Sequence, residues 1–310
     1  MPVVSVVIPT YNRAELLPRT IDSVLDQTFE KFEVIVVDDD SMDDTADVVR
    51  QYNDDRVHYI RHGQNRGGSA ARNTGIEAAT GEFVAFLDDD DVWRANKLDA
   101  QIERYERADE EVGVVYTGIE NVDSERRTNA MKTPQKEGNV TKQLLLDNFI
   151  GTFSAVMIDA ETIEATGLLD ERFPSWQDWE YYLRLSGVAE FAAVTEPLTV
   201  RDASDHEQIS EDFGAKHEKA YPLLVEAFDP VAEEYGWWFK RRMHALLRFR
   251  LGYAALSQGH YGAARRLLTR AILSDPFTIR MYVYWVLSLG GNHLHEPARR
   301  TKRYLTRLVN

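Results

Sequence analysis

The stretch "GEFVAFLDDDDVW", Gly81–Trp93, sets an apolar run directly against four aspartates, Asp88 to Asp91. The run reads as a buried strand. Four adjacent carboxylates at its end repel one another unless water, a cation or hydrogen-bond donors compensate them. Comparable clusters end other apolar runs. "VVSVVI" (Val3–Ile8) leads into "PTYNR", and "FEVIVV" (Phe32–Val37) leads into "DDDS". Two further β-rich runs are "VHYI" (Val57–Ile60) and "VGVVY" (Val112–Tyr116). Between the runs lie segments with apolar residues three and four apart, among them "RAELLPRTIDSVLDQ" and "RANKLDAQIERYERA". This βαβα alternation predicts an α/β fold with a mostly parallel sheet covered by helices on both faces. In such a sheet ligands bind beyond the carboxyl ends of the strands, where the polar clusters fall.

The chain has 310 residues, 44% of them hydrophobic, which suits two bodies with real cores better than one. There are no cysteines, so disulfides, thiolate metal sites and cysteine nucleophiles are excluded. The N-terminus has no basic region before its first apolar run and reads as neither signal nor transit peptide. The most apolar late piece, "MYVYWVLSLGG" (Met281–Gly291), is shorter than the roughly 20 residues a spanning helix needs. The expectation is a cytoplasmic protein without a transmembrane span.

Net charge is −15, unevenly distributed: residues 1–236 carry 22 Lys and Arg against 49 Asp and Glu, whereas residues 237–310 carry 14 against 2. Only 9 of the 36 basic residues are lysines, an acid-rich, lysine-poor balance that suits a halophile. The polar, aperiodic segment Glu120–Gly138 reads as a long loop or irregular hairpin. "FSAVMID" (Phe153–Asp159) and "EFAAVTEPLTV" restore strands, and everything after about His217 has helical periodicity. "LGYAALSQGHYGAARRLLTRAILSDP" resembles a single tetratricopeptide helix pair, too little to stack into a solenoid. The predicted division is 1–216 for the sheet domain and 217–310 for a basic all-α region.

A carboxylate at the end of the second strand, Asp39 above all, can accept from a nucleobase or ribose; for Asp40 and Ser41 the alternative of capping the next helix weighs more. No GxGxxG follows the first strand, which argues against a nicotinamide or flavin enzyme. "NRGGSAARNTGI" (Asn65–Ile76) places Gly67 and Gly68 before a helix. The helix N-terminus and Arg72 suit a diphosphate, although such a glycine pair is commonly only a turn. Mg²⁺ and Mn²⁺ take carboxylate, phosphate and water oxygens, and Asp88 and Asp90, two apart where a strand ends, fit that need. Asp89 and Asp91 are expected to face solvent or cap the following helix.

Together "SVVIPTYNR", "VIVVDDDSMDDT", "NRGGSAARNTGI" and "EFVAFLDDDDVW" resemble, in order and spacing, the family 2 inverting glycosyltransferases of GT-A fold, over roughly residues 3 to 200. The resemblance implies a nucleotide-diphosphate sugar donor and a divalent metal. It places Pro9, Thr10, Tyr11, Asn12, Arg13, Asp39, Asn65, Gly67, Arg72, Asp88 and Asp89 on the donor side and makes Asp90 the metal ligand. Asp178, in "WQDWEYYLRL", matches the base that deprotonates the acceptor hydroxyl, while Gln177 stands where the family usually has Glu. Trp176 and Trp179 are candidates for stacking on a sugar or acceptor, although aromatic residues beside a helix are usually core. Arg201 and His206, in "RDASDHEQIS", read first as a solvated loop, with contact to diphosphate or metal as the alternative.

The basic C-terminal region, with "FKRRMHALLRFR" and "ARRTKRYLTR", suits an anionic membrane surface, and no motif accompanies it that would point to nucleic acid. Its arginines could equally pair with the acidic domain. The function expected is transfer of a sugar, from a UDP-sugar, to a hydroxyl of a lipid-linked saccharide in cell-surface glycan or glycoprotein assembly at the inner membrane face. The alternatives are a polyprenyl-phosphate sugar synthase and a non-catalytic sugar-nucleotide sensor.

Overall fold

A computed structural model describes residues 1–108, 111–123, 125–202 and 212–290. The chain divides into two compact units. The first comprises Met1–Thr141, Ile150–Arg172 and Gln177–His206; the second comprises Lys142–Phe149, Phe173–Trp176 and Glu207–Asn310. Two short excursions of the first 200 residues thus belong to the second unit.

The first unit is built on one sheet of nine strands: β1 (Val4–Thr10), β2 (Phe32–Asp38), β3 (Val57–Arg61), β4 (Phe83–Phe86), β5 (Val92–Trp93), β6 (Val112–Val122), β7 (Thr128–Lys132), β8 (Val156–Asp159) and β9 (Glu190–Asp202). Helices α1 (Leu17–Leu25), α2 (Thr45–Arg50), α3 (Gly68–Ala78), α4 (Lys97–Glu106), α6 (Ala160–Thr166) and α7 (Gln177–Leu185) connect them, together with a single turn α5 (Thr141–Leu144) whose last three residues belong to the second unit. The strand order is β3-β2-β1-β4-β8-β6-β9-β5, with β7 beside β6.

This is the α/β class that the alternation predicts, but the sheet is mixed. Strands β3, β2, β1 and β4 run parallel, whereas β8 enters antiparallel to both β4 and β6. A further antiparallel pair arises where β6 turns straight into β7 as a hairpin, with no helix crossing over between them. The polar segment after Glu120 is therefore the hairpin alternative, not a loop.

All seven residues of β1 and of β2 are buried, which is why both read as predominantly apolar runs; the buried Ser5 and Glu33 that interrupt them bond to each other. Val6, Ile8, Val34 and Val36 pack with Leu17, Ile21 and Leu98 on one face, and Ile35 and Val37 meet Ala71 on the other. Helix α3 crosses β1 so closely that a Cβ on Gly75 would lie 2.2 Å from Val7 Cγ1. Register puts Thr10 opposite Asp38 and Val7 opposite Phe86, so the segments after β1, β2 and β4 emerge along one sheet edge.

The second unit is helical: α8 (Phe213–Ala215), α9 (Tyr221–Glu234), α10 (Trp237–Ser257), α11 (Tyr261–Ser274) and α12 (Ile279–Leu289). Ala245, Phe249, Leu256, Ala264, Leu268 and Met281 form its core. No helix among the described residues is long and apolar enough to cross a membrane.

Candidate active site

The four aspartates do not share one environment. Asp91 points inward, 1% exposed, and its carboxylate accepts from Ser154 Oγ at 2.7 Å. The expectation that Asp91 faces solvent or caps a helix is therefore corrected: it is the anchor of the turn. The anchoring continues on the backbone. Thr20 Oγ1 donates to the carbonyls of Asp89 (3.0 Å) and Asp91 (2.9 Å), and Arg19 Nη2 donates to the carbonyl of Asp90 at 2.6 Å. Beyond the turn, β5 pairs with β9, so both ends of the loop are held by the sheet.

Asp88 leaves the strand half-buried, and both its oxygens are engaged. Arg72 Nη2 donates to Oδ1 and Thr152 Oγ1 donates to Oδ2 at 3.0 Å, while its own N–H donates to Ser154 Oγ at 3.1 Å. Asp89 and Asp90 are also only partly exposed. Burial, followed by repulsion from Asp90 and Asp88, pushes Asp89 up to about 7. Burial and the charge of Asp88 raise Asp90, against the opposing pull of Arg13 and Arg201. The loop thus concentrates negative charge that its surroundings only partly offset.

The loops after β1 and β2 are laced together. Asn12 adopts a left-handed backbone (φ 52°); its N–H donates to Ser41 Oγ at 2.8 Å and its Oδ1 accepts from the N–H of Met42 at 2.7 Å. Pro9 and Thr10 are buried within β1, whereas Tyr11, 45% exposed, and Asn12 are open. Asp39 is 3% exposed. Its carboxylate accepts from the N–H groups of Arg66 (2.8 Å) and Gly67 (2.6 Å) and bonds His62 Nδ1 at 2.7 Å. Asn65 Nδ2 donates to the Asp39 carbonyl, and His62 Nε2 reaches Thr74 Oγ1 at 2.9 Å. Asp39 thereby fixes the turn in which Gly67 takes φ 90°, a conformation that favours glycine.

Arg72, 8% exposed on α3, ties the remaining parts together. Its Nη1 donates to Gln177 Oε1 at 3.4 Å, its Nη2 donates to Asp88, and its guanidinium lies 4.4 Å over the Phe153 ring. The glutamine that replaces the usual Glu therefore still meets the arginine, as a neutral acceptor. Asp178 follows it, half-buried in the first turn of α7. One turn on, Tyr182 is fully enclosed. Burial pushes its phenol far up, and the charges of Asp178 and then Asp88 add to the rise. One side chain thus feels both carboxylates.

Trp179 is 1% exposed and is core, which corrects its candidacy for stacking on a sugar. Trp176 is half-buried, with a left-handed φ of 61°, and belongs to the second unit. Arg201, near the end of β9, is close enough for its charge to act on Asp90 and Asp91. His206 lies outside the described residues. Arg19, Thr20, His62, Thr152, Ser154 and Tyr182 were not singled out by sequence. Tyr182 lies in the quoted stretch around Asp178, one helical turn on; the other five sit in no motif and reach the site from elsewhere in the chain.

No group of three or more His, Asp or Glu side chains converges as a metal cage among the described residues. The aspartate loop still fits a divalent cation. It offers hard oxygen donors whose mutual repulsion a cation relieves, and Mg²⁺ or Mn²⁺ commonly takes only one or two carboxylates beside phosphate oxygens and water. Ser69 Oγ, Arg72 Nε and Tyr182 Oη are also buried without hydrogen-bond partners among the described residues. Such groups call for a ligand or water.

Residues 5–162 match the family described as Glycosyl transferase family 2. The chain belongs to that family. It is similar to the UDP-Glc:alpha-D-GlcNAc-diphosphoundecaprenol beta-1,3-glucosyltransferase WfgD of Escherichia coli, 35% identical over 184 residues, 59% of this chain and 68% of that protein. It is also similar to the GalNAc(5)-diNAcBac-PP-undecaprenol beta-1,3-glucosyltransferase of Campylobacter jejuni, 36% identical over 162 residues, 50% of this chain and 52% of that one. Among solved structures, S. aureus TarS in complex with UDP-GlcNAc superposes with a TM-score of 0.63 at 18% identity, covering 98% of this chain and 89% of that one. The mannosyltransferase PcManGT from Pyrobaculum calidifontis, solved with GDP-Man and Mn²⁺, gives 0.59 at 21% identity, covering 93% and 86%. At these identities the structural likeness establishes the GT-A fold.

Proposed function

We propose that this family 2 glycosyltransferase moves a sugar, with inversion, from a UDP-sugar to a hydroxyl of a lipid-linked saccharide in cell-surface glycan assembly. The observation that carries this reading is the double grip of Arg72. It sets the first turn of α7, which holds Asp178, beside the aspartate loop that begins at Asp88. The names of the E. coli and C. jejuni relatives support a lipid-linked acceptor and, for WfgD, a UDP-glucose donor.

In this reading the loops after β1 and β2 receive the nucleoside, with Tyr11 and Thr10 lining it and Asp39 holding the glycine turn in shape. Asp88 faces the ribose and diphosphate side, and Asp90 holds the metal. The metal, when bound, neutralises charge on the departing diphosphate. Arg13 and Arg201 add positive charge around the same loop. Asp178 takes the proton of the acceptor hydroxyl as that oxygen attacks the sugar carbon from the side opposite the diphosphate, which is what inverts the carbon. Arg72 and Gln177 orient that carboxylate through the start of its helix. The basic second unit, with 9 Lys and Arg against a single Asp between residues 237 and 290, meets the anionic surface in which a lipid-linked acceptor sits.

A screen of UDP- and GDP-sugars for Mg²⁺- or Mn²⁺-dependent turnover on an undecaprenol-diphosphate-linked saccharide tests the proposal. Tight donor binding without any transfer or hydrolysis would favour a sugar-nucleotide sensor instead.

A further inference from the structure

Helix α12 exposes the wrong kind of side chain for a surface helix. Ile279 is 76% exposed, Tyr282 40%, Val283 52%, Val286 51% and Leu289 52%, while Met281 and Ser288 are fully buried. The exposed positions recur three and four residues apart and form one apolar stripe opposite the packed side of the helix. The stripe does not stop at the end of α12. Phe277, just before the helix, is 77% exposed and its ring centroid lies 6.1 Å from that of Trp238; Trp238 in turn lies 5.8 Å from Trp237, which is 66% exposed.

Arg241 borders this patch, and the helices that carry it are basic. Arg241 lies 4.7 Å over the Trp237 ring and donates to the Leu273 carbonyl at 2.7 Å, and Arg265, Arg266 and Arg270 are exposed along α11. The chain beyond Leu289 continues in the same sense, with five Lys and Arg and one Glu in residues 291–310. A contiguous apolar patch on a surface normally marks an interaction site. Aliphatic side chains beside paired tryptophans and an arginine, on a basic helical unit, are the composition that settles at a bilayer interface: apolar groups below the headgroups, indole rings at their level, cations against the lipid phosphates.

We infer that the face formed by Trp237, Trp238, Phe277 and the exposed stripe of α12 inserts into the headgroup region of an anionic lipid bilayer. The inference rests on the proposed membrane-surface role of the second unit and adds to it a claim about mechanism. Attraction by arginines alone is released by salt, whereas burial of apolar side chains is not.

The test is co-sedimentation of the full chain with vesicles of mixed phosphatidylglycerol and phosphatidylcholine. Wild type is compared with Val283→Asp/Val286→Asp, whose sites are half-exposed, and with Arg265→Glu/Arg266→Glu, each checked by circular dichroism. Wild type is expected to keep a bound fraction at about 0.5 M salt, where screening reaches only a few ångströms. Its tryptophan emission is expected to shift to the blue on binding and to be quenched by brominated lipid. The double aspartate variant should partition roughly tenfold or more weakly and lose the shift. The double glutamate variant should lose low-salt binding while keeping the salt-resistant part.

If salt released wild type fully, or the aspartate variant bound as wild type does, insertion would be wrong while attraction to an anionic surface stood. Absence of binding by any protein would overturn both. Should light scattering show a wild-type dimer that the aspartate variant breaks, the patch is an interface between copies and the inference fails. Donor hydrolysis in the absence of lipid should be equal in wild type and the aspartate variant, so a failure of membrane binding stays distinct from a failure of the transferase reading.

Discussion

Arg72 donates to Asp88 with one guanidinium nitrogen and to Gln177 with the other, joining α3, the aspartate loop and the start of α7 in one contact. A lysine cannot make both bonds, because an ammonium is a point charge without the planar fork. Arg72→Lys is therefore expected to lower kcat by about tenfold or more, the effect of losing one charged hydrogen bond of about 1.5–3 kcal/mol. Donor titration together with turnover checks this. Unchanged kcat in a folded variant would show that the contact is merely structural.

Asp178→Asn removes a base and keeps the shape. Turnover is expected to fall by about a hundredfold or more, with donor affinity within a few-fold of wild type. Isothermal titration with the donor and a transfer assay separate the two. Equal loss of binding and turnover would place Asp178 in the donor pocket instead.

Asp90→Asn should abolish the metal dependence of donor binding while Asp91→Asn should chiefly destabilise the fold, because Asp91 is enclosed and bonded to Ser154. Chelation of divalent ions should mimic the first and not the second. Thermal melts with and without Mn²⁺ and donor read the difference. A metal-induced rise in melting temperature that survives in Asp90→Asn would remove Asp90 from the ligand set.

Lys97 is fully buried, with its Nζ 3.8 Å from the Trp93 ring centroid and donating to Gln101 Oε1 at 2.6 Å. Burial holds its amine well below the usual lysine range. The unfolded chain then binds a proton that the folded chain does not, at every pH between the folded and unfolded values. Stability therefore rises with pH across that window, by at most about 1.4 kcal/mol per unit. Lys97→Met should remove this slope. Urea unfolding from neutral pH to pH 10 measures it, and parallel curves for the two proteins would contradict the assignment.

Much of the fold is legible in the sequence because strands buried on both faces must be predominantly apolar. β1 and β2 are so apart from the buried pair Ser5 and Glu33, which bond to each other, and their ends mark the site edge. The antiparallel entry of β8 is not legible, since a four-residue apolar strand carries no mark of direction. The same limit applies to the aspartates: adjacent carboxylates look alike in one dimension, and the expectation divided them into ligands and solvent-facing neighbours.

By itself, then, the sequence determined the alternation of strands and helices, the sheet edge where polar clusters collect, the family and the separation of acidic from basic halves. Local pattern and composition suffice for these, because they follow from which side chains tolerate burial. Only the tertiary structure decided that Asp91 is an anchor, that Asp39 is clasped by His62 and two backbone amides, that Trp179 is core and that Arg72 bridges Asp88 to Gln177. Each depends on partners 16 to 105 residues away in the chain, or on enclosure by the packed fold, and no local pattern encodes which distant side chain will fill a given space.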